Sequence, residues 1–415
     1  LPNESAKIAL NKILKNHFQS TDYQITNTSE ASTKGDNYLG VLYRVQAADS
    51  ETKQDKISII CKLPPQDEIR RKQFKARVSF LKEAEFYTDI LPVFRQFQTD
   101  CGVNVENEGF YELPFCYRAS TEENEEGIYM EDLKAQGFEM YDRAAELTYD
   151  RVELAMKALG KYHAISFAMK DLKPELFEKF KATKDILLEN FLGDDNASMK
   201  SWMDHILSRP LTALEDPQDA RIREKFIAYT KDKSLTDLYR ESITNDDDQY
   251  FVVTHGDFWN NNMLFKMQDN KAVDVRLLDW QICKYASPIT DLMYYFCSSI
   301  SGEFRAKYFD KLMKCYYQSV ADFIRKLGSD PEKIFSYKVF QEQLKRYGSF
   351  GLITASMMLP VLTTKSEDVP DLEEMSRKME NQEEVDIEFK AESTDHIYRK
   401  RMRDVVFDMD RLGYF

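Results

Sequence analysis

The chain has 415 residues, of which 43% are hydrophobic and 31% charged, a balance typical of globular domains. Its 57 basic and 71 acidic residues give a net charge of −14, which argues against a general binder of nucleic acid or of anionic membranes. Six scattered cysteines without a C-x-x-C pair do not form a disulfide framework. Without a signal peptide or a run of 18 apolar residues, the sequence predicts a cytoplasmic protein with no membrane insertion.

The first third of the chain has the pattern of a small α+β unit. Apolar and polar residues alternate from Tyr38, and after a polar stretch a second β-rich run ends at Pro64. These two runs predict a hairpin with a long loop. Helical spacing follows and ends at Pro92, and two more β-rich runs flank an acidic turn. The predicted elements are strands over 38–48 and 57–63, a helix over 67–91, and strands over 111–119 and 127–130.

Beyond Leu133 the pattern is mostly helical. Thr148 is a predicted N-cap, and an apolar stripe that includes His163 indicates a helix with one buried face. The segment 366–394 holds eleven acidic and three basic residues, so we expect a solvated loop there. The other predicted elements are strands over 250–253, 263–265 and 275–278, helices over 289–359 with Pro360 just after them, and a last helix over 395–411.

One segment combines the groups that phosphoryl transfer requires. An apolar strand leads into a polar loop with Asp257 and Asn262 five residues apart at its two ends, and another apolar strand leaves it. Seventeen residues after Asn262, a further apolar run ends in Asp279. A carboxylate can orient an attacking hydroxyl, while an amide oxygen and a second carboxylate are hard ligands that suit Mg²⁺. Hairpin pairing would bring Asp279 beside Asn262.

Other readings of the sequence are weaker. No two histidines have metal-ligand spacing, which argues against zinc, and His163 is predicted to be a core residue with satisfied hydrogen bonds. The sequence contains neither a G-x-S-x-G elbow nor a Walker-type loop. A polar turn between core strands is the alternative interpretation of the loop, but the spacing, the flanking strands and the second aspartate together favour phosphoryl transfer.

The pattern H-G-D-F-x-x-x-N from His255 to Asn262, followed by L-L-D-W ending at Trp280, resembles the signature of the aminoglycoside and choline kinase-like superfamily. The segments 61–65, 275–281 and 285–296 further resemble the insect ecdysteroid kinase-like family, and the similarity covers nearly the whole chain. The resemblance implies an α+β, bilobal protein kinase-like fold. A small antiparallel-sheet lobe would span 1–130, and a larger, mostly helical lobe would span 131–415.

The resemblance also implies roles for residues of the large lobe. Asp257 would be the catalytic base, and Asn262 and Asp279 would be the Mg²⁺ ligands. His255 would be a structural residue of the loop, and Asp291 would brace it.

In the small lobe, the resemblance implies that Lys62 reaches the phosphates of ATP. Its partner would be a glutamate on the following helix. Glu83 stands three residues before Phe86, as the family pattern requires, and is preferred to Glu85.

Three further regions would complete the nucleotide site. The Gly-poor stretch 34–40 takes the place of a Gly-rich loop, with Asn37 and Tyr38 on the phosphate side. Met130 would lie beside the adenine pocket. Backbone groups of Glu131 to Leu133 would form the hinge that recognises adenine.

The function implied by the resemblance is transfer of the γ-phosphate of ATP, with Mg²⁺, to a hydroxyl of an ecdysteroid or a similar lipophilic alcohol. One alternative is a detoxifying kinase of xenobiotic alcohols or glycosides, and another is a choline-like kinase, whose pocket would need an aromatic and acidic cage. A third alternative is a pseudokinase that acts as a binding module. The presence of Lys62, Asp257, Asn262 and Asp279 argues against the pseudokinase.

Overall fold

The computed structural model describes residues 1–31, 40–65, 67–68, 71, 75–123, 125–141, 147–192, 197–244, 249–364 and 393–415. It has a small antiparallel-sheet region followed by a larger, mostly helical portion, so the predicted fold class is confirmed. The predicted division into two lobes at residue 130 stays a prediction. Within the described ranges, no helix combines the length and the apolar composition needed to cross a membrane.

A five-stranded antiparallel sheet forms the first region, with strand order β1-β2-β3-β5-β4. Its central hairpin has the predicted long loop, since Val41 of β2 pairs with Leu63 of β3 and Ala48 pairs with Lys56. The strand predicted from residue 111 begins later, at Cys116. The five strands are β1 (Tyr23–Glu30), β2 (Val41–Asp49), β3 (Lys56–Leu63), β4 (Cys116–Ser120) and β5 (Gly127–Glu131).

Helix α1 (Glu4–Phe18) and strand β1 precede the predicted elements, and the sequence analysis missed both. Asn3 caps α1 by accepting a hydrogen bond from the N–H of Ala6. The apolar face of α1 is buried in one cluster with Val45 and Ile59 of the central hairpin. Strand β1 is a mostly exposed edge strand of polar residues, so it lacks the alternation that marks a half-buried strand.

The helix that follows β3 does not end at Pro92, so that prediction is wrong. Helix α2 (Ala76–Glu85) continues through a π-helical turn, Phe86–Ile90, into α3 (Leu91–Asp100). Pro92 follows the π-helical turn directly as the second residue of α3, so the helical backbone passes through it although it has no N–H to donate. Several residues before Ala76 lie outside the described part of the chain.

An aromatic stack joins the π-helical turn to the large portion. The rings of Phe86 and Trp280 are parallel within 2°, and their centroids lie 3.9 Å apart. Both side chains are fully buried. The stack therefore links the helix that carries Glu83 to the residue that follows Asp279.

The large portion is built mainly from helices. Thr148 precedes the first of them, and every residue of the predicted apolar stripe, His163 included, is buried. Helices do not end before Pro360 as predicted. This proline lies in the last turn of a helix that reaches Thr363, where it removes one intrahelical hydrogen bond. The remaining helices are α4 (Val105–Glu108), α5 (Tyr149–Leu172), α6 (Pro174–Phe177), α7 (Ala197–Ser208), α8 (Ala220–Thr230), α9 (Leu235–Ile243), α10 (Pro288–Ser298), α11 (Gly302–Lys326), α12 (Pro331–Ile334), α13 (Tyr337–Tyr347), α14 (Phe350–Thr363) and α15 (Asp395–Leu412).

Two small antiparallel sheets support the polar loop. The three predicted runs form β7 (Val252–Thr254), β8 (Met263–Gln268) and β9 (Lys271–Leu277). Two three-residue strands were not predicted: β6 (Phe138–Met140) pairs with β8, and β10 (Lys284–Ala286) pairs with β7. The acidic segment 366–394 lies outside the described residues except for its last two positions.

A separate apolar cluster adjoins the polar loop, apart from the main core. We call it the Trp259 cluster, because Trp259 of the loop packs in it together with Tyr294 of α10. Its other buried members are Leu192, Met203, Ile206, Leu235, Leu238, Tyr239, Ile243, Phe350 and Ile353, and its half-buried rim includes Leu187, Leu188, Leu207, Met357, Met358 and Leu362.

Candidate active site

The loop between β7 and β8 holds its two ends together through Asn262. The amide Nδ2 of Asn262 donates to the main-chain oxygen of Asp257 at 2.9 Å and to Oδ2 of Asp257 at 2.8 Å. Both partners can only accept, so the amide nitrogen must face them. The amide oxygen of Asn262 is consequently the atom left for a cation.

The β8–β9 hairpin brings Asp279 beside Asn262, as its geometry predicts. Met263 pairs with Leu277, and the N–H of Leu278 donates to the main-chain oxygen of Asn262 at 2.9 Å. Asp279 follows in the left-handed region, with φ at +65°. A non-glycine residue in this region is strained, and such strain is concentrated at functional positions.

Lys62 at the end of β3 meets two carboxylates. Its Nζ lies 2.6 Å from Oε2 of Glu83 and 2.8 Å from Oδ1 of Asp279. Lys62 and Glu83 are almost fully buried, whereas the Asp279 side chain is 19% exposed. Glu85 points elsewhere: it pairs with Lys82 at 2.9 Å and is 45% exposed. The structure therefore places Glu83, and not Glu85, against Lys62.

The charges of this group depend on one another. Burial alone would lower the pKa of Lys62, but the carboxylates of Asp279 and Glu83 raise it above its usual value. Burial raises the pKa of Glu83, and the Lys62 ammonium opposes that shift. Lys62 is thus held as a cation between two carboxylates.

Asp257 lies at the other side of the loop, half-buried. Burial raises its pKa to about 6, and the negative charge of Asp279 adds to this shift. Hydrogen bonds from Tyr294 and Asn262 act in the opposite direction by stabilising the carboxylate. A carboxylate with a pKa near neutrality is suited to accept a proton from an alcohol.

Both ring nitrogens of His255 are hydrogen-bonded to the main chain. Its Nε2 lies 3.0 Å from the carbonyl oxygen of Leu278, which can only accept, so Nε2 carries the proton. Its Nδ1 accepts from the N–H of Asp257 at 3.3 Å. Burial lowers the pKa of His255, which agrees with a neutral ring. These two bonds tie the loop to itself and to the segment that leads into Asp279, as expected for a structural residue.

Asp291 braces the loop backbone from the first turn of α10. Its two oxygens accept the N–H of His255 at 2.7 Å and the N–H of Gly256 at 2.8 Å. Gly256 has φ at +85°, and a Cβ there would lie 2.1 Å from the carbonyl oxygen of Ile282. Only glycine fits this position, so the loop conformation depends on Gly256 as well as on Asp291.

His163 extends this bracing into the core. Its Nε2 donates to Oδ2 of Asp291 at 3.0 Å, and its Nδ1 lies 2.7 Å from the hydroxyl of Tyr316. His163 is fully buried and hydrogen-bonded, as predicted. Its contact with Asp291 could not be predicted, because the two residues are 128 positions apart in the chain.

We expect the stability that the Asp291 carboxylate contributes to be lost in acid. Burial would raise the pKa of Asp291, but hydrogen bonds from His163 and Gly256 hold it below its ordinary value. The unfolded chain therefore binds a proton at a higher pH than the folded chain does. The stability from this carboxylate is complete above the unfolded pKa of about 4 and is lost as the pH falls through the lower folded pKa.

Urea unfolding of the wild type and of Asp291→Asn between pH 6 and pH 3 checks this expectation. The wild type should be the more stable protein at pH 6, and the difference in free energy of unfolding should shrink below pH ~4. A difference that stays constant across this range would contradict it.

The cleft beside these residues is formed by the five-stranded sheet and the β8–β9 hairpin. It encloses about 930 Å³, counting the part open to solvent. Its lining residues are Ala31, Leu42, Arg44, Ile60, Lys62, Glu83, Pro114, Met130, Glu131, Asp132, Leu133, Lys134, Met140, Asn261, Asn262, Leu264, Leu278 and Asp279.

The predicted hinge lies along this cleft. The N–H of Glu131 donates to Phe115, and its carboxylate accepts from the N–H of Phe115 at 2.8 Å, so this side chain is engaged at β4. Leu133 begins a one-turn 3₁₀ helix, a position whose N–H has no partner within the turn. Met130 contacts the hydroxyl of Tyr87 through its sulfur at 3.5 Å.

The acidic residue within the hinge is anchored to the sheet. Asp132 accepts two hydrogen bonds from Arg44, the shorter at 2.6 Å, and one from Ser58 at 2.8 Å. The sequence analysis gave Asp132 no individual role. Asn37 and Tyr38, predicted on the phosphate side, lie outside the described residues.

The donor set fits a hard cation. Asn262 and Asp279 lie together at the cleft and supply an amide oxygen and a carboxylate. Mg²⁺ commonly takes one or two such ligands and completes its shell with water and phosphate oxygens. Among the residues that the structure describes, no three of His, Cys, Asp and Glu form a cluster that would hold a metal by themselves.

Tyr294 is the direct contact of Asp257 that the sequence analysis missed. Its hydroxyl donates to Oδ1 of Asp257 at 2.7 Å. It stands three residues after Asp291 on α10, and residues three apart lie on the same helix face. This spacing was the available signal.

The fold and a match to a family model define the class of the protein, a kinase-like phosphotransferase of small molecules. The model describes the ecdysteroid kinase-like family and matches residues 34–329. The chain belongs to this family. Comparison with curated protein sequences gave no match.

Three of the solved structures that are similar to the chain illustrate how low the identity is. A choline kinase from Cryptosporidium parvum Iowa II is 12% identical over 99% of this chain and 98% of its own, with a TM-score of 0.46. A Plasmodium vivax ethanolamine kinase is 13% identical over 99% and 91%, with a TM-score of 0.42. The GDP complex of a wild-type aminoglycoside 2'-phosphotransferase is 9% identical over 99% and 99%, with a TM-score of 0.39.

Proposed function

We propose that the protein transfers the γ-phosphate of ATP to a hydroxyl of an ecdysteroid or a similar lipophilic alcohol, in the cytoplasm. One observation carries the proposal: a single cleft joins Lys62, held by Glu83, to Asp279 and Asn262, and Asn262 in turn holds Asp257. These groups supply a cation for the phosphates, two oxygen ligands and a base. Phosphoryl transfer needs this combination and little else from the protein.

The nucleotide would occupy the cleft between the sheet and the β8–β9 hairpin. Backbone groups of Glu131 to Leu133 would recognise adenine, with Met130 beside it, and Asn37 and Tyr38 would lie on the phosphate side. Lys62 would neutralise phosphate charge. Asn262 and Asp279 would hold Mg²⁺, which lowers the charge on the phosphates when bound.

Asp257 would orient and deprotonate the acceptor. The acceptor oxygen forms a bond to the γ-phosphorus as the bond from that phosphorus to the bridging oxygen of ADP breaks. The hydroxyl proton passes to Asp257. His255 and Asp291 would act on this step only by holding the loop.

The Trp259 cluster supports a lipophilic acceptor. It touches the loop next to Asp257 through Trp259 and Tyr294, and its rim of leucines and methionines is only half-buried. Apolar side chains of this kind can bury a hydrocarbon skeleton against the catalytic loop. A choline-like acceptor would instead need a cage of aromatic and acidic residues around a cation. A xenobiotic alcohol remains a second candidate, because the same apolar surface would accommodate it.

Mass spectrometry of acceptors incubated with the protein, ATP and Mg²⁺ tests the function. We expect a phosphate to be added to a hydroxylated steroid, with removal of Mg²⁺ by EDTA stopping the reaction. Phosphorylation of a phenolic glycoside alone would favour the detoxifying kinase, and phosphorylation of choline alone would overturn the lipophilic acceptor. Nucleotide binding without transfer to any acceptor would indicate a pseudokinase.

A further inference from the structure

Among the described residues of α10, Tyr294 alone forms a hydrogen bond with the side chain of Asp257. The hydroxyl oxygen of Tyr294 lies 2.7 Å from Oδ1 of Asp257, and Tyr294 is only 6% exposed. Asp291, one turn earlier on the same helix, holds the loop backbone. Helix α10 therefore contacts both the main chain of the loop and its carboxylate.

The direction of this hydrogen bond is fixed. The carboxylate of Asp257 can only accept when ionised, so Tyr294 donates. Burial and the neighbouring Asp257 raise the pKa of Tyr294 well above its usual value, which keeps the hydroxyl protonated. Hydrogen bonds to a charged acceptor are among the stronger ones in proteins.

Each oxygen of the Asp257 carboxylate has its own partner from a different element. Oδ1 accepts from Tyr294 on α10, and Oδ2 accepts from Asn262 at the start of β8. Two donors at opposite ends of the carboxylate restrict its rotation. Because each oxygen has about two acceptor sites, these two bonds do not use up the capacity of the carboxylate, and an incoming hydroxyl can still donate to it.

We propose that Tyr294 is a positioning residue for phosphoryl transfer, which orients the Asp257 carboxylate toward the acceptor hydroxyl. This inference rests on the proposed function, because it assumes that Asp257 acts on an acceptor. The Tyr294 ring packs in the Trp259 cluster, so the orientation of the base is tied to the apolar surface that adjoins it. Tyr294 itself is not among the residues that line the nucleotide cleft.

The test replaces Tyr294 by Phe, which removes one oxygen and keeps the ring in place. We expect kcat to fall about 10- to 100-fold, because a misplaced reacting group and a lost bond to a charge have costs of this size. The KM for ATP should be unchanged, since Tyr294 does not line the nucleotide cleft. A merely structural role would instead lower the melting temperature and raise both KM values.

The neighbouring Tyr295 provides a matched control. It is fully buried on the same helix, and its hydroxyl has no hydrogen-bond partner in the described part of the chain. Tyr295→Phe therefore makes the same chemical change without touching Asp257, and we expect it to retain wild-type kcat. Equal kcat values for Tyr294→Phe and Tyr295→Phe would overturn the role of Tyr294.

The same substitutions in an Asp257→Asn background test whether Tyr294 acts through Asp257. We expect Tyr294→Phe to cause no further loss there, because residues that act as a unit are strongly non-additive. A loss by the same factor in both backgrounds would overturn the inference. A wild type that phosphorylates no acceptor would overturn the proposed function and this inference together, whereas an active wild type isolates the question of Tyr294.

Discussion

Replacing Asp257 by Asn should lower kcat by about 10²- to 10⁴-fold, the range that a general base contributes. The amide has nearly the same shape as the carboxylate, so the loop should keep its conformation. It cannot accept the proton of the acceptor hydroxyl, and this is the step that should fail. Nucleotide affinity should change little, because Lys62, Asn262 and Asp279 are untouched. Initial rates with an acceptor that the wild type phosphorylates measure kcat, and calorimetric titration with ATP measures the nucleotide affinity.

The control for this variant is Asp269→Asn. Asp269 lies exposed in the turn of the β8–β9 hairpin, and its backbone has positive φ, which Asn tolerates well. The same chemical change at this position should leave kcat at the wild-type value. If Asp257→Asn retained wild-type kcat, Asp257 would not be the base and the proposed mechanism would be wrong.

Replacing Lys284 by Met should destabilise the protein by about 3 kcal/mol, the cost of breaking a buried ion pair from one side. Lys284 on β10 is 2% exposed, and its Nζ lies 2.9 Å from Oδ2 of Asp185. Asp185 also accepts from the hydroxyl of Tyr239 at 2.7 Å. Methionine has a similar length but no charge, so it leaves Asp185 buried without its counter-ion. The free energy of unfolding from urea titration measures the loss.

Two comparisons make this prediction specific. Lys271→Met, at an exposed position of β9, should change the free energy of unfolding little. Adding Asp185→Asn to Lys284→Met should recover part of the lost stability, because the second substitution removes the uncompensated charge. Fully additive losses would show that the two side chains do not stabilise each other.

Loss of this ion pair should also affect the rim of the Trp259 cluster, where we propose that the acceptor binds. Oδ1 of Asp185 accepts from the N–H groups of Leu187 and Leu188, which belong to the rim of the Trp259 cluster. If the cluster binds the acceptor, Lys284→Met should raise the KM for the acceptor more than the KM for ATP.

Local patterns in the sequence were sufficient to predict which residues lie together in much of the candidate site. The hairpin that places Asp279 beside Asn262 follows from two apolar strands joined by a short polar turn, and such pairing is set by nearby residues. Glu83 was separated from Glu85 by a resemblance to the family, and the structure places it against Lys62. The roles of these residues in catalysis stay predictions.

Contacts between distant segments were beyond the sequence analysis. His163 reaches Asp291 across 128 positions. Lys62 reaches Asp279 across 217, and only the family resemblance placed these two residues in one site. In the sequence, Tyr294 could not be distinguished from the other core aromatics. A single sequence does not show whether a buried tyrosine only packs its ring or also makes a specific contact with its hydroxyl, as Tyr294 does. Strand β1 is polar and exposed, so its pairing with β2 could not be read from its own residues.

The stacked rings of Phe86 and Trp280 have a consequence for how fast a nucleotide can associate. They fasten the helix of Glu83 to the residue after Asp279, and the carboxylates of Glu83 and Asp279 both contact Nζ of Lys62. In the described part of the chain, the groups that would meet the phosphates therefore lie together without a movement of the Glu83 helix. Association should therefore follow a single exponential whose rate rises linearly with ATP concentration, without the plateau that a preceding conformational step imposes.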